Sequence, residues 1–205
     1  MIVKEENLIT QKTFRTLLQA MSHPGRVYKL DHNTKIGNQI TDKNNPFSVF
    51  FALLPLLQTL LDHEVTFNVF GHQREEWEYR VIRATGSRTV NIDNADFIII
   101  PSGDSDGAIL HAKRGSLEYP DTGATVIYVV KFLNDMDKDN GKLIALLRGP
   151  GIKDEIAISM HGLGKNELSH IKEINSEFPL GIDCIFIDGA NRIMSIPRSA
   201  KIEVI

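Results

Sequence analysis

The apolar run LIALL leads into Arg148, which is followed by Gly149, Pro150 and Gly151. Glycine allows backbone angles that other residues avoid and lets a ligand or a second segment come close, while proline fixes one dihedral angle and removes a hydrogen-bond donor. A tight turn is the minimal interpretation of this segment. Because the planar guanidinium of Arg148 suits carboxylate or phosphate groups, a corner that binds phosphate is the sharper alternative.

Two further charged residues accompany apolar segments near the end of the chain. Asp183 stands near the start of the apolar part of PLGIDCIFID, where a carboxylate more often pairs with a cation or caps a turn than transfers protons. Arg198, in SIPRSAKI, follows a proline that ends a strand, and we expect it to pair with such a carboxylate or to contact a ligand or a partner. Arg148, Gly149, Gly151, Asp183 and Arg198 are therefore the candidate ligand- or partner-binding residues.

The sequence contains no motif that would supply a complete reaction centre. Its seven histidines show no HxH, HxxxH or HExxH spacing, and the lone Cys184 rules out a cage of thiolates, so we assign no metal site. There is no GxSxG elbow, no Walker loop and no GxGxxG after a strand, and HGLGKNE from His161 lacks the spacing that wraps a phosphate. We interpret His63, beside two carboxylates, as a solvated or capping group. No catalytic residue is assigned.

Composition narrows the class of protein and of partner. A chain of 205 residues is expected to bury roughly 70% of its unfolded surface, so we expect one domain over residues 1–205. Its 23 basic and 26 acidic side chains give a net charge of -3, and no block of like charge indicates a nucleic-acid partner. The single cysteine lies in an apolar run, which predicts a buried strand thiol and fits a reducing compartment.

The apolar segments do not predict an exported or membrane-spanning protein. The start, MIVKEENLITQ, lacks the basic and apolar parts of a signal peptide, so we expect a cytoplasmic location. The most apolar segment, Pro46 to Leu61, is shorter than the roughly 20 residues needed to span a bilayer. We interpret it as a buried helix that starts at Asn45 and Pro46 and is kinked or split at Pro55.

The spacing of apolar residues predicts helices and strands in an order typical of α/β proteins. Helices are expected from a cap at Thr10 to residues 22–25 and over 73–85, 108–113 and 166–178; strands are expected over 26–30, 65–70, 97–101 and 154–160. The runs ATVIYVVKFL and KLIALLRG should form a long hairpin around NDMDKDNG, and IDCIFID with RIMSIP a second hairpin around residues 189–191. These elements imply a mixed sheet with helices on both faces.

Several segments follow one another in an order that points to a known family: FRTLLQAMSHPG (14–25), LLDHEVTF (60–67), EYPDTGATVI (118–127), LRGPGI (147–152), FPLGIDCIFID (178–188) and IPRSAKIEV (196–204). This series resembles PhnH, the H subunit of the bacterial carbon-phosphorus lyase system. The likeness runs nearly end to end. The sequence departs from the family pattern mainly in residues 31–45 and 71–93.

The resemblance implies a fold and a role. The fold would be similar to the large domain of pyridoxal-phosphate-dependent transferases without the cofactor site, so no cofactor is expected. The role would be that of an accessory, non-catalytic subunit, alongside the G, I and J subunits, in a complex whose first reaction joins a phosphonate to the ribose of ATP and releases adenine. The isolated chain would be a homodimer. The alternative is a stand-alone enzyme or a binding protein for a phosphorylated small molecule, in which Arg148 and Arg198 converge on one pocket.

Overall fold

The structure, a computed structural model, describes residues 2–30, 48–134 and 144–205. The α-helices in these ranges are α1 (Ile2–Ser22), α2 (Ser48–Leu60), α3 (Arg74–Thr85) and α4 (Glu167–Ile174). The strands are β1 (Tyr28–Lys29), β2 (Thr66–Val69), β3 (Arg88–Thr89), β4 (Phe97–Ile100), β5 (Thr125–Val130), β6 (Phe132–Asn134), β7 (Ala145–Arg148), β8 (Ile156–His161), β9 (Asp183–Asp188), β10 (Arg192–Ile196) and β11 (Lys201–Val204). Short 3-10 helices lie at Ala108–His111, Pro120–Thr122 and Asn175–Glu177.

The strands of the described ranges form two sheets. The larger sheet has the order β1-β10-β9-β5-β4-β2-β3. Its strands from β9 to β3 run parallel, and β10 is antiparallel to both of its neighbours. The smaller sheet has the order β11-β7-β8-β6 and is antiparallel throughout. A mixed α/β architecture, as the sequence predicts, is thereby confirmed.

Each face of the larger sheet is covered by its own apolar layer. On one face, α1, α2 and α3 pack against Ile99 and Ile127. On the other face, α4 and the smaller sheet pack against Val126 and Phe186. Because successive side chains of a strand point to opposite faces, a central strand covered on both faces must be apolar throughout. The sequence of β5 meets this requirement, and its residues from 126 to 130 are all buried.

The two predicted hairpins have different outcomes. The second is confirmed, because β9 and β10 pair antiparallel around residues 189–191. The first, from ATVIYVVKFL and KLIALLRG, is wrong: β5 lies between the parallel strands β4 and β9, and β7 pairs with β8 and β11. Both edges of β5 are hydrogen-bonded to strands distant in sequence. Its buried backbone groups are therefore paired on both sides, whereas a local hairpin would pair one edge only. Residues 135–141 of the predicted turn lie outside the described residues.

Helix α1 differs from its predicted form. It begins at Ile2, so Thr10 lies inside the helix and does not cap it. Leu17 is buried, but Phe14 and Leu18, from the same predicted apolar stripe, keep 48% and 49% of their surface exposed. The helix therefore turns part of its apolar stripe away from the core.

Helix α2 is a single helix that contains Pro55 in its interior, so the predicted split is not found. Its predicted start at residues 45–46 lies outside the described residues. Among the helices that the structure describes, none has both the length and the apolar character required to cross a membrane.

Candidate functional site

The segment after β7 is a turn in which two glycines approach other parts of the backbone. Gly149 has a φ of 140° and Gly151 a φ of 81°, values that favour glycine. A Cβ atom on Gly149 would lie 3.0 Å from the carbonyl oxygen of Ser199, and a Cβ atom on Gly151 would overlap the carbonyl oxygen of Ser22. Close packing of this turn against the end of α1 and the loop before β11 therefore accounts for both glycines.

Arg148 lies at the end of β7 and is paired with two carboxylates. Its Nη2 atom is 2.8 Å from Oε2 of Glu155, and its Nη1 atom is 3.7 Å from Oε2 of Glu203. All three side chains are about half exposed or more. Exposed ion pairs of this kind contribute little to stability. Arg148 is therefore a surface cation that acidic neighbours hold in place.

Arg198 and Asp183 form the ion pair that was one of the two expectations from the sequence. Nη2 of Arg198 is 2.6 Å from Oδ2 of Asp183, and the backbone nitrogen of Arg198 is 2.8 Å from Oδ1. The guanidinium also donates to the carbonyl oxygens of Pro120 and Gly123. Only 13% of the Arg198 side chain is exposed. The protein itself therefore occupies most of the donors of Arg198.

This cluster stands at the amino ends of the parallel strands, because Asp183 is the first residue of β9. Open α/β sheets bind their ligands outside the carboxyl ends of the strands, at the opposite edge. The position of Arg198 and Asp183 therefore favours a role in joining loops or contacting a partner.

Arg148 and Arg198 nevertheless line one groove, whose volume is about 680 Å³. The groove is formed by the outer face of β7 and β11, the end of α4 and the loops beside them. Lys172 and Lys201 also line it, and Glu203 contributes a carboxylate. Convergence of the two arginines is what a ligand site requires, whereas their pairing with carboxylates is typical of a structural or docking surface.

The other candidates from the sequence do not line this groove. Gly149 and Gly151 lie in the turn directly after Arg148, and Asp183 lies behind Arg198 as its ion-pair partner. Asp183 holds Arg198 through its hydrogen bonds, and the two glycines form the turn that follows Arg148.

Sequence reasoning missed a buried polar cluster around Glu167, the first residue of α4. Glu167 is 1% exposed. Its Oε1 atom accepts hydrogen bonds from the hydroxyl of Ser105 (2.7 Å) and the backbone nitrogen of Ser105 (3.0 Å), and its Oε2 atom accepts one from the hydroxyl of Tyr128 (2.6 Å). Burial raises the pKa of Tyr128 well above its usual value, so its hydroxyl stays protonated and donates. The cluster joins α4, β5 and the loop after β4.

The sequence carries no signal for this cluster, because Ser105 and Tyr128 lie 62 and 39 positions from Glu167. A glutamate just after HGLGKN would ordinarily be interpreted as an exposed residue in the first turn of a helix.

Cys184 and His63 lie where the sequence predicts. Cys184 is fully buried in β9, and burial raises the pKa of its thiol well above its usual value, which leaves it unreactive. His63 is exposed, next to a turn after α2. In the described ranges, histidine, cysteine and carboxylate side chains do not come together in any group of three or more that could hold a metal ion.

Known proteins match this chain over nearly its whole length. The family described as bacterial phosphonate metabolism protein (PhnH) matches residues 3–203. A putative C-P lyase subunit protein, HtxG, of Stutzerimonas stutzeri is 29% identical over 197 residues, which cover 95% of this chain and 86% of that protein. The alpha-D-ribose 1-methylphosphonate 5-triphosphate synthase subunit PhnH of Rhizobium meliloti (strain 1021) is 25% identical over 195 residues, which cover 94% and 90%. The chain therefore belongs to the PhnH family of bacterial phosphonate metabolism proteins.

Proposed function

We propose that this chain is an accessory, non-catalytic subunit of a carbon-phosphorus lyase complex in phosphonate catabolism. It assembles with G, I and J subunits in the cytoplasm and supports formation of a ribose 1-phosphonate 5-triphosphate from a phosphonate and ATP. The observation that carries this proposal is the family match over residues 3–203. Two relatives that align along nearly the whole chain bear the names of subunits.

The contacts at the candidate site support a docking role. Both arginines of the groove are paired with carboxylates of the protein itself. A guanidinium that is paired in this way supplies neither a nucleophile nor a general base. In this proposal Arg148 and Arg198 contact a partner directly, and Gly149, Gly151 and Asp183 hold them in position.

The proposal extends to the fold of the whole chain. Residues 1–205 act as a single domain that is related to the large domain of pyridoxal-phosphate-dependent transferases but lacks the cofactor site. The run of parallel strands from β9 to β3, with packing layers on both faces, supports this relation.

A second candidate function is that of a binding protein for a phosphorylated small molecule. The groove favours it, because about 680 Å³ is within the usual range of small-molecule sites and four cations line it. Calorimetric titration of the isolated chain with ATP separates the two functions. Saturable binding that Arg148→Ala or Arg198→Ala abolishes supports the second candidate.

Adenine release tests the accessory role. The chain alone is expected to release no adenine from ATP and a phosphonate. A mixture of this chain with its G and I counterparts and the L protein of the same system is expected to lose most of its activity when this chain is omitted. The reason is that catalysis resides in another subunit while this chain completes the assembly. Chromatographic detection of adenine is the measurement. Turnover by this chain alone, or full activity of the mixture without it, contradicts the proposal.

The isolated chain is expected to be a homodimer. Strand β5 leaves no open edge for a second chain, since it is paired on both edges. The support for a dimer comes from α1, where the apolar side chains of Leu8, Phe14 and Leu18 are about half exposed. Light scattering at micromolar concentration measures the mass directly. A measured mass equal to that of one chain contradicts the predicted homodimer and has no bearing on the proposed role in phosphonate catabolism.

A further inference from the structure

The cations that line the groove fall into two kinds. Arg148 and Arg198 are paired with carboxylates of the protein. Lys172 and Lys201 are exposed, and neither side chain has an ion pair or hydrogen bond within the described residues. Lys201 begins the edge strand β11 directly opposite Arg148 on β7. The free positive charge of the groove is therefore that of two lysines on opposite elements.

The groove also offers an apolar contact surface. Phe178 lines it with 61% of its surface exposed, whereas most large apolar side chains of the described residues are buried. Leu146 and Ile202 add aliphatic side chains to the same lining. Leu146 is partly buried and Ile202 is buried, so Phe178 is the exposed apolar side chain among these three. An exposed aromatic side chain beside arginines is typical of protein interfaces. The occupant of this groove should therefore combine negative charge with a large apolar side chain.

Two features favour carboxylates over a phosphate group as the source of that charge. Phosphate sites use free arginine forks and the backbone N–H groups at helix amino termini. Here Arg198 donates to Asp183 and to two carbonyl oxygens. The helical residues that line the groove come from the last turn of α4 and the 3-10 turn that continues it. That end of a helix carries partial negative charge, which opposes a dense anion.

The charge of the whole chain makes the groove distinctive. The net charge is -3, so the chain as a whole does not attract an acidic partner, whereas the four cations that line the groove attract one locally. Electrostatic complementarity of this kind sets orientation and association rate more than it sets affinity.

We propose that the groove between α4 and β11 is a docking site for an acidic segment of a partner subunit, with Lys172 and Lys201 contacting its carboxylates and Phe178 its apolar side chain. This inference rests on the proposed accessory function, because it assigns that function to a surface. It makes Lys172 and Lys201 the residues that recognise the partner, in addition to the arginines beside them.

Charge reversal tests the docking site. The binding partner is a purified assembly of the G, I and J counterparts, and association with this chain is measured by biolayer interferometry. The double variant Lys172→Glu/Lys201→Glu is expected to bind at least about tenfold more weakly than the unaltered chain. Raising the salt concentration from about 50 to about 500 mM should weaken binding of the unaltered chain to the assembly, and the difference in affinity between it and the double variant should become smaller.

The matched control is Lys29→Glu/Lys165→Glu, which reverses two exposed lysines outside the groove, one of them also on an edge strand. It produces the same change in net charge and is expected to weaken association by less than about threefold. Circular dichroism and the melting temperature of each variant establish that the chain is folded. Phe178→Ala tests the apolar contact independently of charge and is expected to weaken binding at unchanged salt dependence.

The outcomes separate the two proposals. Failure of the unaltered chain to bind the assembly overturns the accessory function and the docking site together. Normal binding by the folded Lys172→Glu/Lys201→Glu variant overturns the docking site alone. Saturable binding of ATP or pyrophosphate to the isolated chain, lost in that variant while assembly is unaffected, also overturns the docking site and assigns the groove to a phosphorylated ligand.

Discussion

Replacing Glu167 with alanine is expected to lower the free energy of unfolding by about 3–5 kcal/mol. The substitution removes a carboxylate that accepts three hydrogen bonds, and it leaves the hydroxyls of Ser105 and Tyr128 buried without their acceptor. Each unsatisfied buried donor costs about 1–3 kcal/mol, and the vacated volume adds a cavity. Urea denaturation followed by circular dichroism measures the change.

Two further variants give this experiment its controls. Tyr128→Phe removes one donor and leaves the bonds from Ser105, so a loss of about 1–2 kcal/mol is expected. Glu173→Ala changes an exposed glutamate on the same helix and should stay within about 0.5 kcal/mol of the unaltered chain. If Glu167→Ala behaves like Glu173→Ala, the buried cluster does not stabilise the junction of α4 with β5.

Replacing Gly151 with valine is expected to cost about 3 kcal/mol or more. Its φ of 81° is strained for a β-branched residue, and its Cβ would overlap the backbone of Ser22. For a chain of this size such a loss lowers the melting temperature by roughly 6–12 °C. Gly149→Val should cost less, because its Cβ would meet Ser199 at 3.0 Å and a small shift relieves the contact. Differential scanning fluorimetry measures both.

Arg148→Ala and Gly189→Val complete this series. Arg148 is exposed, so its removal should change the melting temperature less than either substitution in the turn. Gly189 is exposed, and a Cβ atom there would meet nothing within 4 Å, so Gly189→Val reports the effect of adding a side chain in open space. Equal melting temperatures for Gly149→Val, Gly151→Val and Gly189→Val would mean that the turn after β7 does not need its glycines.

The local pattern of residues determined several features of this protein correctly. The apolar segment Phe97–Ile100 is a buried strand because a strand covered on both faces has no place for polar side chains. The break after Arg148 is a turn because glycine can adopt the backbone angles found there. Arg198 pairs with a carboxylate because a cation beside a strand end requires an acceptor when it is largely buried. The order of segments also indicated the family.

Tertiary structure decided which of these elements meet. Strand β5 was expected to pair with β7, yet it lies between β4 and β9. Pairing on both edges satisfies the hydrogen bonds of all the backbone groups of a buried central strand, which a local hairpin would not do. The same long-range packing brings Ser105 and Tyr128 to Glu167, and it brings the end of α4 to β11, where the groove forms. Local propensity depends on residues close in sequence. Burial and hydrogen-bond satisfaction depend on neighbours in space, and only the folded chain supplies those neighbours.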